Sequence, residues 1–271
     1  MLEDISEPTG PAPVAVSAAV TTAPVISGLA STATATTITT SSSQETQLKD
    51  AVATRAKYLY FAYGSNLSPT QMRQRCIYNP DISARPLAIA RLDGWKWIIC
   101  ERGYANVLPP NSISSPAQSK DGDGDQESHS DDVVYGVLYE MTREDENLLD
   151  GYEGVDHSAP PAPPDAPVGR DKRPNEQGNG SYNKWYVSAT VVEWLADEEV
   201  EGSKGLRGKE EQKVLVYVDE HRVTEGPPKK EYIARMNRGI REAEALGLPV
   251  DWVQRVMRKF IPEGPDAGIQ N

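Results

Sequence analysis

Two short runs of this sequence hold side chains that could do chemistry. The first is Leu149–Val155 (LDGYEGV), in which Glu153 follows a short helical pattern and stands close to Gly151 and Gly154. A carboxylate presented from a tight turn into a cavity can serve as a general base or a general acid. The pattern alone fits an ordinary solvated turn residue better. Asp150 is a competing carboxylate, for which we expect a structural role at the helix end.

The second run is Tyr60–Leu67 (YFAYGSNL). Its aromatic residues predict a buried strand that ends at Gly64. Ser68 as N-cap and Pro69 at the first helical position then predict a helix start. A strand that turns through glycine into a helix exposes backbone N–H groups and the positive end of a helix dipole, which can hold a carboxylate or an oxyanion. A plain connection between two elements has the same pattern, so the geometry leaves both interpretations open.

These runs lie among short apolar segments that predict an α+β fold with an antiparallel or mixed sheet. The predicted strands are Leu59–Tyr63, Leu87–Arg91, Trp95–Cys100, Tyr104–Leu108, Val133–Tyr139, Trp185–Leu195 and Val214–Asp219. The predicted helices are Pro69 to about Cys76, a Thr142-capped helix through Leu149 that Gly151 ends, Lys229–Leu246 and Val250–Phe260. Asp93 and Gly94 predict a hairpin between the second and third strands.

Composition narrows the classes of function. The 271 residues are 38% hydrophobic and include 21 Gly and 21 Pro, which indicates a globular core diluted by disordered stretches. The net charge of −12 argues against a nucleic-acid partner, since phosphate binding favours a basic face. Cys76 and Cys100 form no disulfide framework and no metal spacing, which fits a reducing, cytoplasmic compartment. The three histidines suggest neither a hydrolase triad nor a zinc site.

The chain is expected to carry one folded domain. Residues 1–56 are a low-complexity leader in which the first basic residue is Lys49, unlike a secretory or mitochondrial signal, and no apolar run is long enough to span a membrane. The domain covers residues 57–262, with loop insertions near 111–132, 156–182 and 197–212, and residues 263–271 form a disordered tail. The Pro-rich stretch from Asp156 to about Tyr182 is expected to form no packed element.

Both chemical runs resemble one enzyme family. The run Tyr63–Leu67 after an aromatic strand is similar to the signature loop of the γ-glutamylcyclotransferases, and Leu149–Val155 is similar to the run that carries their catalytic glutamate. Val133–Met141 and Gly103–Val107 resemble two further strands of the family. A leucine replaces Asn66 in the glutathione-specific and γ-glutamylamine branches, so Asn66 favours the branch that acts on γ-glutamyl amino acids.

The resemblance implies a small closed β-barrel flanked by helices. It also implies an intramolecular reaction that releases 5-oxoproline and a free amino acid from a γ-glutamyl substrate, without a cofactor or metal. The implied site residues are the catalytic Glu153 and the substrate-binding Tyr60, Phe61, Ala62, Tyr63, Gly64, Ser65, Asn66, Tyr186, Tyr217 and Tyr232. Each tyrosine fits a core position equally well. The expected partner is a small-molecule γ-glutamyl peptide, with no nucleic acid and no membrane. Neither the preferred substrate nor the oligomeric state follows from the sequence.

Three alternatives accompany this hypothesis. One is a scaffold whose low-complexity leader and inserts bind partners, although no recognisable peptide motif supports it. A glutathione-specific or γ-glutamylamine enzyme would have the same fold, although Asn66 argues against both. A non-catalytic binding module would keep the barrel and lose the turnover. A structure with Glu153 buried away from the Tyr63–Asn66 loop would favour that module.

Overall fold

A computed structural model of the protein describes residues 56–110, 132–195 and 210–264. The strands are β1 Leu59–Ala62, β2 Pro86–Asp93, β3 Lys96–Ile99, β4 Ala105–Leu108, β5 Val133–Tyr139, β6 Asn183–Trp194 and β7 Glu211–Val218. The α-helices are α1 Pro69–Arg75, α2 Pro80–Ser83, α3 Arg143–Glu153, α4 Lys230–Ala245 and α5 Val250–Arg255, and short 3-10 helices cover Ser65–Leu67 and Met257–Lys259. The predicted leader and tail and two of the predicted insertions, near 111–132 and 197–212, lie almost entirely outside the described residues.

Five strands close into a barrel in the order β1-β5-β2-β6-β7. Neighbouring strands are antiparallel, except that β7 runs parallel to β1 and closes the barrel through Leu59–Val214 and Tyr60–Leu215. The predicted α+β fold, a small closed mixed barrel flanked by helices, is therefore confirmed. Phe61 is fully buried and packs closely on Gly136. A Cβ added at Gly136 would lie 2.7 Å from the ring of Phe61. Side chains fill the interior of a barrel of this size.

The predicted hairpin around Asp93 and Gly94 is wrong. Strand β2 pairs with β5 and β6 in the barrel, whereas β3 pairs with β4 in a separate two-stranded sheet. The N–H of Gly94 donates to the carbonyl of Asp132, at 2.8 Å, and the chain leaves the barrel there. Beyond this turn the indole of Trp97 donates to the carbonyl of Tyr63, at 3.0 Å. Burial of β3 beneath the Tyr63 turn therefore prevails over the local turn signal.

The stretch from Asp156 to Tyr182 packs against the barrel, contrary to the prediction. Gln177 is only 1% exposed; its amide donates to the carboxylate of Asp219, at 3.0 Å, and its oxygen accepts from the N–H of Glu220. Arg173 binds both carboxylate oxygens of Glu220. Buried polar pairs hold this segment against the barrel. Because these contacts are polar, the sequence shows no hydrophobic periodicity that would predict the packing.

Within the described ranges, no helix combines the length and the apolar character needed to cross a membrane.

Candidate active site

Glu153 is the last residue of α3. Thr142 caps the helix start by accepting from the N–H of Asp145, and Gly154 ends the helix in a left-handed conformation with φ 63°. The prediction that Gly151 ends the helix is wrong. A Cβ at Gly151 would meet nothing within 4 Å, so this residue faces open space, while Gly154 supplies the conformation that closes the last turn. Glu153 is thus presented from a rigid helix end instead of a loop.

Two donors converge on one oxygen of Glu153. The amide nitrogen of Asn66 donates to Oε1 at 3.2 Å, and the guanidinium of Arg75 forms an ion pair with the same atom at 3.1 Å. The guanidinium also lies 4.9 Å from the ring centroid of Tyr152. The Glu153 side chain is 15% exposed. Among the described residues no hydrogen-bond partner is found for Oε2, so one carboxylate oxygen remains available at a partly open surface.

A hydrogen-bond network orients Asn66. Gln71 donates its amide hydrogens to the hydroxyl of Ser65, at 2.7 Å, and to Oδ1 of Asn66, at 2.9 Å. Arg238 donates to the oxygen of Gln71 at 3.3 Å. Because Oδ1 of Asn66 already accepts from Gln71, its nitrogen is directed to the hydroxyl of Tyr60, at 3.0 Å, and to Glu153. Helices α1 and α4 therefore fix the donor that touches the carboxylate.

The N-terminus of α1 is already occupied by groups of the protein. Ser68 accepts from the N–H of Gln71 as predicted for an N-cap. A carboxylate oxygen of Glu242 accepts from the Ser68 hydroxyl, at 2.7 Å, and from the N–H of Thr70, at 3.1 Å. Glu242 thus takes the place at the helix end that the sequence offered to a substrate anion. Any backbone donors for a substrate must come from the preceding Gly64–Leu67 turn.

Tyrosines line this turn. The N–H of Ser65 donates to the hydroxyl of Tyr232 at 3.3 Å. A Cβ on Gly64 would lie 2.9 Å from that hydroxyl, so the approach of Tyr232 requires glycine there. The hydroxyl of Tyr63 donates to the carbonyl of Tyr217 at 2.6 Å. The hydroxyl of Tyr232 thus contacts the backbone of the turn directly.

The structure brings most of the predicted site residues together, but not all. Asn66 contacts Tyr60 and Glu153, and Tyr217 packs on Tyr60 with ring centroids 5.5 Å apart. Phe61 and Ala62 have no exposed surface and lie beneath the site. Tyr186 packs against Tyr58, at 4.9 Å between ring centroids, and is not joined to this network.

Four further residues take part that the sequence interpretation did not select. Gln71 and Arg75 lie on α1. Tyr182, inside the stretch expected not to pack, donates to the carbonyl of Ala105 at 2.8 Å. Arg235 lies one turn after Tyr232 on α4, with its guanidinium 5.2 Å from that ring. For Arg75 the sequence carries no signal, because its partner Glu153 is distant along the chain.

Burial dominates the electrostatics of the site. It raises the pKa of Glu153, and the charge of Arg75, the hydrogen bond from Asn66 and the charge of Arg235 oppose that rise in this order. Burial also raises the pKa of Tyr60 and Tyr217, which keeps both hydroxyls protonated. A carboxylate with a raised pKa, surrounded by neutral tyrosines, is suited to taking up and returning a proton.

Asp150 lies one helical turn before Glu153 and is fully engaged. The hydroxyl of Tyr217 donates to it at 2.6 Å, and Lys184 forms an ion pair with its other oxygen at 3.0 Å. His157 lies 3.5 Å from that same oxygen. These contacts support the structural role expected for Asp150. No group of three or more His, Cys, Asp or Glu side chains able to hold a metal occurs in the described parts of the chain.

Comparison with known proteins finds similarity to solved structures. No protein-family model matches the chain, and no curated protein sequence does. An uncharacterized protein from Homo sapiens is 21% identical, with a TM-score of 0.45 over 78% of this chain and 89% of its own. A structure named gamma-glutamyl cyclotransferase is 20% identical, with a TM-score of 0.45 over 79% of this chain and 92% of its own.

A third structure is YkqA from Bacillus subtilis. It is 17% identical, with a TM-score of 0.47 over 83% of this chain and 60% of its own. Identities in this range describe a likeness of fold. At that level, the chain is similar to structures that include a gamma-glutamyl cyclotransferase.

Proposed function

We propose that the protein is a γ-glutamylcyclotransferase that converts γ-glutamyl amino acids into 5-oxoproline and a free amino acid. The observation that carries the proposal is the hydrogen bond between Asn66 and Glu153, at 3.2 Å. It joins the two runs that the sequence marked for chemistry, although they are 87 residues apart. The non-catalytic alternative would be favoured by a Glu153 buried away from the loop, and this contact is the opposite arrangement.

Glu153 is the group we assign to proton transfer. The substrate's α-ammonium must lose a proton before its nitrogen can attack, and Oε2 of Glu153 is free to accept it. The α-nitrogen then forms a bond to the γ-carbonyl carbon, which closes a five-membered ring and places a negative charge on the carbonyl oxygen. Glu153 returns this first proton to the departing nitrogen as the original amide C–N bond breaks and the carbonyl reforms. The ring nitrogen gives up its second proton in the same collapse, and the released amino acid takes up a second proton to leave as an ammonium. The substrate supplies its own nucleophile, so the protein has to hold it folded.

The Gly64–Leu67 turn is the part we assign to holding the glutamyl group. Glu242 occupies the start of α1, so the donors we assign are the N–H groups of Ser65 and Asn66 in the turn itself. A substrate oxygen would replace the Tyr232 hydroxyl as acceptor at Ser65. Donors that are already fixed hold the glutamyl carboxylate in place, which keeps the substrate in the folded form that the attack requires. The buried thiols of Cys76 and Cys100 are unpaired. Because free thiols fit a reducing compartment, we place the reaction in the cytoplasm.

The experiment is an assay for 5-oxoproline with γ-Glu-Ala, glutathione and γ-glutamyl-lysine as substrates. We expect release from γ-Glu-Ala and little from the other two. A preference for glutathione or γ-glutamyl-lysine would establish one of the sibling activities instead. Release from none of them, with binding of γ-Glu-Ala retained, would establish the binding module.

A further inference from the structure

We propose that Arg235 determines substrate specificity by binding the carboxylate of the amino acid that leaves. This inference rests on the proposed cyclisation. A γ-glutamyl amino acid has two carboxylates, one on the glutamyl group and one on the leaving residue. The Gly64–Leu67 turn is assigned to the first, so a cation beyond Tyr232 is the natural partner for the second.

Arg235 is placed at the site by Tyr232. Its guanidinium lies 5.2 Å from the centroid of the Tyr232 ring, whose hydroxyl accepts from the N–H of Ser65. The two side chains are three residues apart on α4 and therefore lie on one face of the helix. The charge of Arg235 also acts on Glu153, lowering the pKa of its carboxyl against the effect of burial. Arg235 thus stands next to the turn and within electrostatic reach of the proton-transfer group.

Arg235 differs from the other arginines around the site in having no partner of its own. Arg75 forms an ion pair with Glu153, Arg102 with Asp219, and Arg238 donates to Gln71. In the described ranges, no carboxylate and no hydrogen-bond acceptor is found for the half-buried Arg235 guanidinium. A planar guanidinium held against an aromatic ring, with its donors unused, is suited to a bidentate bond with a carboxylate.

The chemistry of the substrates explains why this contact would select among them. In γ-Glu-Ala the second carboxylate is attached to the carbon next to the departing nitrogen, close to Glu153. In glutathione that carboxylate is one residue further along, a shift of about 3.8 Å between Cα atoms. A γ-glutamyl amine without a carboxylate would leave Arg235 unpaired. Arg235 therefore favours γ-glutamyl amino acids, independently of Asn66.

The test compares γ-Glu-Ala with γ-Glu-alaninamide, which has the same shape but lacks the second carboxylate. We expect the parent protein to favour γ-Glu-Ala by about tenfold in kcat/KM, the scale of a charge-assisted hydrogen bond at a partly exposed site. Arg235→Gln should lower kcat/KM for γ-Glu-Ala by about tenfold, mainly through KM, because the contact is the same in the ground state and the transition state. The rates are compared above the acidic limb of the pH profile, where Glu153 is ionised in both proteins and the charge of Arg235 on that carboxyl does not affect the comparison. There, Arg235→Gln and the parent should be alike for the amide, and Arg235→Lys should keep part of the preference.

Lys229→Gln is the matched control, because it removes the same charge near the neighbouring Tyr104, whose ring centroid lies 4.8 Å from the Lys229 ammonium. It should leave the preference for γ-Glu-Ala in place. The inference is overturned if the active parent shows no preference, if Arg235→Gln affects both substrates equally, or if Lys229→Gln abolishes the preference as fully. Release of 5-oxoproline from neither substrate by the parent would instead overturn the proposed function, and this inference with it.

Discussion

Asp150 and Glu153 are two carboxylates one turn apart on the same helix, and their surroundings differ. Asp150 is 1% exposed, and both of its oxygens are engaged, by Tyr217 and Lys184. Glu153 is 15% exposed, and both of its protein donors, Asn66 and Arg75, bind the same oxygen. A saturated carboxylate holds structure together, whereas one with a free oxygen can exchange a proton with a substrate. The number of unused lone pairs, more than the position on the helix, separates the two roles.

The largest expected effect is that of Glu153→Gln on turnover. The amide keeps the size of the side chain but cannot accept the substrate's proton, and general acid–base groups contribute about 10²–10⁴-fold to rates. We expect 5-oxoproline release from γ-Glu-Ala to fall by about 10³-fold, with the circular dichroism spectrum unchanged. Turnover near the parental rate would make the assignment of Glu153 wrong.

Asp150→Asn should have the opposite effect to Glu153→Gln: it should lower stability and leave turnover in place. It leaves the partly buried Lys184 with one carboxylate partner, Glu146, in place of two, and breaking a fully buried ion pair typically costs about 3–5 kcal/mol. Because Lys184 retains Glu146, we expect a loss of about 2–3 kcal/mol in the free energy of unfolding, measured by urea denaturation. The protein that stays folded should keep its turnover. A catalytic loss as large as that of Glu153→Gln, without loss of stability, would reverse the two roles.

Asn66→Leu sharpens the comparison by removing a donor that Glu153 has and Asp150 lacks. The substitution takes away the hydrogen bond to Oε1 and leaves the amide of Gln71 with one partner fewer in a buried position. Loss of the hydrogen bond that holds Glu153, worth about 1–2 kcal/mol, predicts a drop of about tenfold in kcat/KM for γ-Glu-Ala. Asn66→Asp is a useful contrast, since a negative charge beside Glu153 raises the pKa of that carboxyl. Parental rates in both variants would exclude Asn66 from the working site.

The smallest effect is a change in pH dependence on substituting Arg75. The Arg75 charge opposes the burial that raises the pKa of Glu153, so Arg75→Gln should raise that pKa further. Glu153 must be ionised to act as a base. The acidic limb of the kcat/KM profile for γ-Glu-Ala should therefore move to higher pH, with little change at the alkaline end.

Arg73→Gln provides the control for Arg75. Arg73 lies on the same helix but forms a surface ion pair with Asp81, at 3.0 Å, with both side chains largely exposed. Arg73→Gln should leave the pH profile of kcat/KM for γ-Glu-Ala unchanged. A shift of the acidic limb to lower pH in Arg75→Gln, or no shift at all, would contradict the part given to Arg75.

Local signals in the sequence predict much of this fold. Ser68 and Thr142 cap α1 and α3 as expected, because capping depends on neighbours a few residues away. The errors occur where distant contacts decide. Gly94 was expected to join two strands of one sheet, but burial of β3 beneath Tyr63 sends them to different sheets.

The candidate site divides in the same way. Glu153 and Asn66 were selected because their runs resemble a known family, and the structure brings them into contact. Arg75 and Arg235 could not be selected, since an arginine on a helix is ordinarily a solvated charge, and only the tertiary structure shows what each one faces. Residues 156–182 were discounted for the same reason: Gln177 and Arg173 find partners about forty residues away, at Asp219 and Glu220.

The closure of the barrel has a consequence for the order in which the parts of this protein fold. Strand β1 is held by β7, and the helix start next to the Gly64–Leu67 turn is held by Glu242, 174 residues after Ser68. Contacts at such separation form late, because the intervening chain must be ordered before they can close. During synthesis, the turn and Glu153 emerge long before the strand and the helix that position them. Cyclisation activity would therefore first appear once α4 is in place, and it would report on the complete domain in a way that secondary structure does not.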